Sequence, residues 1–257
     1  MTDPFSEAVP ATLESAPPPL DAGTPSQRRL IAIAEILLCS SVPTQVLLQV
    51  LLVQAGVAPL TESGGFSLPF VVMMSLADTV LLILLMVVLT RAHGQSVSEL
   101  WLGRRPPIRE ALLGLALVPS VFMLVVVLLS VTRLAAPVLH NVPTNPLEEL
   151  ARGGVANAAA FGLVAIFAGG VREELQRAFL LRRFEEHLGG PVVGVIVLSV
   201  AFGLGHAVQG WDAALTTGTL GAFWAVIYLR RRSSIAPLVS HAGFNSLEVL
   251  RVAITGA

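Results

Sequence analysis

The chain has 257 residues, of which 54% are hydrophobic and 13% charged, with a formal net charge of −1 and a mean hydropathy of +0.77. Soluble domains carry about 25% charged residues, so this composition excludes an ordinary globular domain and points to a polytopic membrane protein. All 16 basic residues are arginines and form no polybasic surface, which argues against a nucleic-acid partner. A single cysteine, Cys39, rules out a disulfide scaffold or a cysteine zinc finger.

Residues 1–28 are rich in proline, acids and small polar residues, and read as a disordered tail without the layout of a secretory signal. Residues 29–153 read as N-terminal transmembrane helices with an amphipathic connection, and residues 154–257 as a helical core. Seven spans are expected, at about 30–56, 66–90, 110–136, 154–184, 191–209, 213–230 and 235–255, each long enough to cross a bilayer core of about 30 Å. The fold class is therefore an all-α polytopic membrane protein whose last four helices form the core bundle. The fourth span is expected to continue as helix beyond the membrane through Arg182 to His187. Gly189, Gly190 and Pro191 then stop it and start the next one.

The arginines set the orientation, because short cytoplasmic loops carry the excess of positive charge. Arg28 and Arg29, then Arg91, Arg104, Arg105 and Arg109, then Arg182 and Arg183, then Arg230, Arg231 and Arg232 all fall on one side of the seven-span arrangement. That places a multi-pass protein in the plasma (inner) membrane of a bacterial cell, with its N-terminus cytoplasmic; arginine-only usage fits a GC-rich bacterial genome. The connection from Ser96 to Ile108 is expected to be an interfacial segment anchored by Trp101.

A charged side chain at the centre of a membrane helix costs at least about 2.5–3.5 kcal/mol, so ionisable residues within spans are candidates for function. The densest group is Arg172-Glu173-Glu174-Leu175-Gln176-Arg177, in which Arg177 lies one turn from both glutamates. Phe202 to His206 follows on the fifth helix, where Gly203 and Gly205 offer a close-packing surface. His241 and Asn245 share one face of the last helix, a pair suited to a metal or to a developing oxyanion. Asp78 has no partner in its own helix and is expected to pair with an arginine elsewhere, while Glu248 and Arg251 are expected to pair with each other. Helical rise places Glu173 about 13 Å, His206 about 18 Å and His241 about 9 Å from the cytoplasmic surface, within about two turns of one another. The depths favour chemistry near the cytoplasmic side.

These motifs resemble the CAAX prenyl protease and bacteriocin-processing family of intramembrane proteases, also called the Abi family. Its signatures are Glu-Glu-x-x-x-Arg, Phe-x-x-x-His and His-x-x-x-Asn on successive core helices. Phe202 to His206 and His241 to Asn245 match the second and third as they stand, and the resemblance covers roughly residues 154 to 250. The first signature departs: with Glu173 and Glu174 as the pair, the arginine position falls on Ala178, and with Arg177 as the arginine, the pair becomes Arg172 and Glu173. Glu173 belongs to the pair in both registers.

The resemblance implies an endopeptidase acting on peptide or membrane-protein substrates within the lipid bilayer. Glu173, Glu174, His206, His241 and Asn245 would be catalytic, and Arg177 and Phe202 supporting. His206 and His241, with a carboxylate, would offer a zinc set with an open fourth position. The competing reading is a non-catalytic membrane immunity or partner-binding protein of the same fold, which the irregular first signature favours. A proton-coupled transporter using Asp78 ranks below both.

Overall fold

The computed structural model describes residues 23–255, so the N-terminal tail expected over residues 1–28 lies almost wholly outside the described residues. Helix begins early, at α1 (Pro25–Leu38), because Thr24 and Gln27 form a reciprocal capping box and Pro25 occupies the first turn. The first expected span is interrupted. Ser41, with φ of 71°, breaks it into α1 and α2 (Val42–Gln54), although Pro25–Gln54 as a whole is long and apolar enough to cross a membrane. α3 (Leu68–Ala92) follows as an unbroken apolar helix of 25 residues.

The Ser96 to Ile108 connection holds the short helix α4 (Val97–Trp101). It differs from the interfacial anchor expected of it, because Trp101 is buried and its indole Nε1 donates to the Leu175 carbonyl at 3.1 Å. Leu100 and Trp101 join Leu82, Met86, Phe179 and Leu181 in one apolar cluster, where the indole finds both a dry surface and a hydrogen-bond acceptor.

α5 (Pro107–Ala135) spans 29 residues. After the one-turn helix α6 (Glu149–Arg152), the chain runs from Val155 to His187 as one helical rod of 33 residues. The rod consists of α7 (Val155–Val164), a π-helical segment (Ala165–Arg172) and α8 (Glu173–His187). It ends as expected: Gly189 and Gly190 take φ of 93° and 92°, and Pro191 opens α9 (Pro191–Gly205). α10 (Trp211–Arg231) and α11 (Ile235–Thr255) complete the bundle.

By length and apolarity alone, Pro25–Gln54, Leu68–Ala92, Pro107–Ala135 and Val155–His187 can cross a membrane. α9 is apolar but has only 15 residues, while α10 and α11 have 21 each and carry more polar side chains. The chain is thus, over its described residues, an all-helical bundle with several membrane-spanning helices, of which four rather than the expected seven meet the length and apolarity of a crossing.

Ion pairs fix which helix ends lie together. Glu110 at the start of α5 meets Arg231 at the end of α10 (3.1 Å), and Arg133 at the end of α5 meets Asp212 at the start of α10 (2.9 Å). Arg232 pairs with Glu185 near the end of α8 (2.6 Å), and Arg183 of α8 lies 2.6 Å from Glu35 of α1. The arginine clusters of the sequence therefore gather at one end of the bundle. α11 lies between α5 and the π segment, and α9 packs on α10 and α8.

Candidate active site

The π segment comes first, because it brings the Arg-Glu-Glu run into the bundle. Single π turns inside α-helices widen the backbone and often mark functional sites. Two adjacent glycines allow it to meet α11: a Cβ on Gly170 would stand 2.6 Å from the Ala242 Cβ, and one on Gly169 would stand 2.5 Å from Asn245 Nδ2. Asn245 Nδ2 donates to the Ala165 carbonyl at 3.0 Å and so ties the two elements together.

The neighbouring glutamates then diverge. Glu174 is shut away, with 1% of its side chain exposed; its Oε1 accepts a hydrogen bond from Arg177 and lies 2.8 Å from His241 Nδ1. Glu173 turns the other way, with 14% of its side chain exposed, onto the wall of a cavity of about 700 Å³. His206, Asn245, Arg172 and Trp224 line the same cavity. The sequence allowed Arg177 to pair with either glutamate, and in the fold it takes Glu174.

His241 is fixed from three directions. Its Nδ1 faces Glu174, its ring stacks on Trp224 with centroids 3.8 Å apart, and its Nε2 lies 3.9 Å from Glu173 Oε2. A ring nitrogen facing a carboxylate is held as the N–H donor, which fixes how the imidazole presents its other nitrogen. His206 is not inside α9 but is its C-cap residue. Its Nδ1 lies 2.8 Å from the Phe202 carbonyl, an acceptor, so Nδ1 carries the proton and Nε2 keeps its lone pair. Phe202 packs edge-on against both histidines, at 4.7 Å and 6.2 Å, and its face lies under the Arg177 guanidinium at 4.8 Å. The aromatic residue of the second motif is thus a wedge that spaces the two rings. Of the two glycines in that motif, Gly203 packs closely against Gly218 and the Ala214 carbonyl, while Gly205 faces open space.

Asp78 finds the arginine partner expected of it. Completely buried on α3, it accepts from Arg172 Nη1 at 2.7 Å, from Gln45 at 3.3 Å and from Thr44. Arg172 also reaches Glu173 Oε1 through Nη2 at 3.2 Å, so its charge is shared between the two carboxylates. Glu248 and Arg251 pair at 3.0 Å, and Arg251 also reaches Glu148 at 3.2 Å.

The zinc set raised by the resemblance does not fit these positions. Among the described residues no group of three or more histidine, cysteine, aspartate or glutamate side chains converges as a metal would require. His241 turns Nδ1 to Glu174 and His206 turns Nδ1 to a carbonyl, contacts that leave each Nε2 available, so what is missing is a grouped third donor.

Sequence reasoning singled out every ionisable residue of this constellation but missed Trp224, which is indistinguishable by pattern from any other core aromatic. It also missed the π segment, whose trace in the sequence is the Gly169-Gly170 pair directly before Arg172 inside an apolar helix.

Residues 155–247 match the family described as Type II CAAX prenyl endopeptidase, Rce1-like. The matched segment runs from the first residue of α7 into α11 and contains Glu173, Glu174, His206, His241 and Asn245. No curated protein and no solved structure matches the chain.

Proposed function

We propose that this chain, matched over residues 155–247 by the type II CAAX prenyl endopeptidase family, is an intramembrane endopeptidase that cuts a peptide or membrane-protein segment with a water activated by Glu173. The observation that carries the reading is the division of labour between adjacent carboxylates. Glu173 faces a cavity it shares with His206 and Asn245, while Glu174 is buried behind His241.

The water lies between Glu173 and the Nε2 lone pair of His206. Glu173 takes a proton as the water oxygen adds to the carbonyl carbon of the scissile peptide bond. The negative charge that develops on the carbonyl oxygen is met by the second amide hydrogen of Asn245, held in place by the bond of the first to the Ala165 carbonyl, while His241 stands beside the base with Nε2 3.9 Å from Glu173 Oε2. The C–N bond then breaks as the carbonyl reforms, Glu173 returns its proton to the departing amine, and the remaining hydroxyl proton passes by way of His206 Nε2 to the same amine, so that the products leave as a carboxylate and an ammonium. Glu174, Arg177 and Phe202 hold His241 and His206 in orientation from behind the cavity, and Trp224 stacks on His241 from the cavity wall.

Cleavage should vanish in Glu173→Gln, His206→Ala and His241→Ala alike, provided that each variant folds; activity retained in any two would sink the mechanism. Substrate discovery can use a comparison of peptide termini in cells expressing the wild type or Glu173→Gln at equal protein levels. The non-catalytic reading draws on one observation, the Arg172 guanidinium beside Glu173. It predicts identical termini in the two cell lines.

A further inference from the structure

A second cavity, of about 680 Å³, shares no lining residue with the one beside Glu173. It is bounded by the end of α3, the connection that holds α4, one residue of α8 and the start of α11. Its walls divide by burial. Trp101 is buried, and Val97, Leu175 and Leu238 are half-buried, whereas Arg91, Ser96 and Ser98 are exposed beside Leu102. The one polar residue among the covered ones, Gln95, is already bonded to Glu186 and Arg183.

Arg91 is the sole ionisable residue of the lining, and it forms no ion pair among the described residues. Other arginines of the same end are taken: Arg183 by Glu35, Arg231 by Glu110 and Arg232 by Glu185. The hydroxyls of Ser96 and Ser98 lie 3.0 Å apart, so one O–H serves the pair and the other is left to donate outward. A guanidinium and a spare hydroxyl form a donor set for a phosphate oxygen.

Arg91 stands in the last turn of α3, an unbroken apolar helix of 25 residues, which is where a span meets the lipid headgroups. Leu175 lies seven residues before Arg182, about 10 Å of helical rise away from the arginine-rich end and into the apolar part of the bundle. A cation at headgroup level with apolar side chains below it matches a phospholipid in both charge and polarity. The arginine-rich end is expected on the cytoplasmic side, where the leaflet carries anionic lipid and basic pockets between membrane helices suit its headgroups.

We propose that this slot binds one anionic phospholipid, with its phosphate on Arg91 and the Ser96 and Ser98 hydroxyls and one acyl chain along Trp101, Leu175 and Leu238. Leu175 adjoins Glu174, and Leu238 lies three residues before His241, so the chain packs on the two helices that the contact of Glu174 with His241 joins.

Trp101 reports on the slot directly. The full chain carrying Trp211→Phe, which keeps Trp101 and the buried Trp224, would be reconstituted in phosphatidylcholine vesicles containing rising fractions of brominated phosphatidylglycerol or brominated phosphatidylcholine. Acyl bromines quench an indole they touch, and a chain that also carries Trp101→Phe gives the background. Quenching of Trp101 at a mole fraction about fivefold lower for the anionic lipid is the expected result, the factor that one basic residue contributes beside anionic lipid. Arg91→Gln should erase the preference, and Arg91→Lys, which keeps the charge, should retain most of it. Equal quenching by the two lipids, an anionic preference undiminished in Arg91→Gln, or no quenching of Trp101 by either lipid overturns the proposal. The readout needs no proteolysis and stands apart from the endopeptidase reading.

Discussion

His241 Nδ1 and Glu174 Oε1 lie 2.8 Å apart across two helices, and this contact turns the second glutamate of the pair away from the cavity that Glu173 lines. A carboxylate behind an imidazole fixes its tautomer and the direction of its free nitrogen, and Arg177 on the same oxygen keeps the buried charge paired. Glu173, one residue earlier, is rotated by about 100° around the helix and faces the cavity instead.

The two glutamates should therefore fail differently when changed. Glu173→Gln keeps the shape and hydrogen-bonding reach of the side chain but removes its basicity, so cleavage should fall by about 10²–10⁴ with the melting temperature little changed. Glu174→Gln leaves Arg177 without its anionic partner in a buried position, and breaking a buried pair costs about 3–5 kcal/mol. It should lower the melting temperature as well as the rate. Thermal melts and initial rates in one detergent would check the contrast; equal loss of stability in both variants would contradict it.

Asp78 tests whether the helices outside the matched segment belong to the site. Its carboxylate takes one arm of Arg172, leaving the other to orient Glu173 at 3.2 Å. In Asp78→Asn the full guanidinium charge turns to Glu173 and ties up the base. We expect kcat to fall about tenfold to a hundredfold with KM within about twofold, since a lost base acts on the chemical step and not on peptide binding. Asp78→Glu should recover part of the rate. A rise in KM with kcat unchanged would show that Asp78 shapes the cavity only.

The donor arrangement makes a prediction about metals. Because no three convergent donors are assembled among the described residues, enzyme purified in detergent and treated with 1,10-phenanthroline should retain its cleavage rate. Loss of activity that returns on adding zinc would show that substrate or lipid draws His206 and His241 together.

The sequence disclosed the site better than the frame around it. Charges in an apolar helix are costly and therefore conspicuous, which is why Glu173, His206, His241 and Asp78 stood out before any coordinates. The Gly189-Gly190-Pro191 stop was equally plain, because a positive φ and a missing amide each restrict the backbone. The interruption at Ser41 left a trace, Ser40 and Ser41 followed by Pro43, that was outweighed by the apolar residues on either side of it. Trp101 read as a membrane anchor because its amphipathic ring suits an interface and a protein carbonyl equally well, and only the position of Leu175 decides between them.

The close approach of α11 to the π segment gives the last prediction. Gly170 has no room for a side chain: an added Cβ would stand 2.6 Å from the Ala242 Cβ and 2.9 Å from its Cα, both rigidly attached to backbone. Gly170→Ala must therefore push α11 outward, and overpacking of this kind costs about 1–3 kcal/mol. The displacement carries His241 away from Glu174 and Asn245 away from the Ala165 carbonyl. Activity should thus fall much further than stability, by more than about tenfold under conditions where the chain remains fully folded, since displacements near 1 Å cost about a hundredfold in positioned catalysis. Gly205→Ala, on the same bundle but facing open space, should leave rate and melting temperature unchanged. If Gly170→Ala were as active as the wild type, α11 would not be held where the His241 contact requires it.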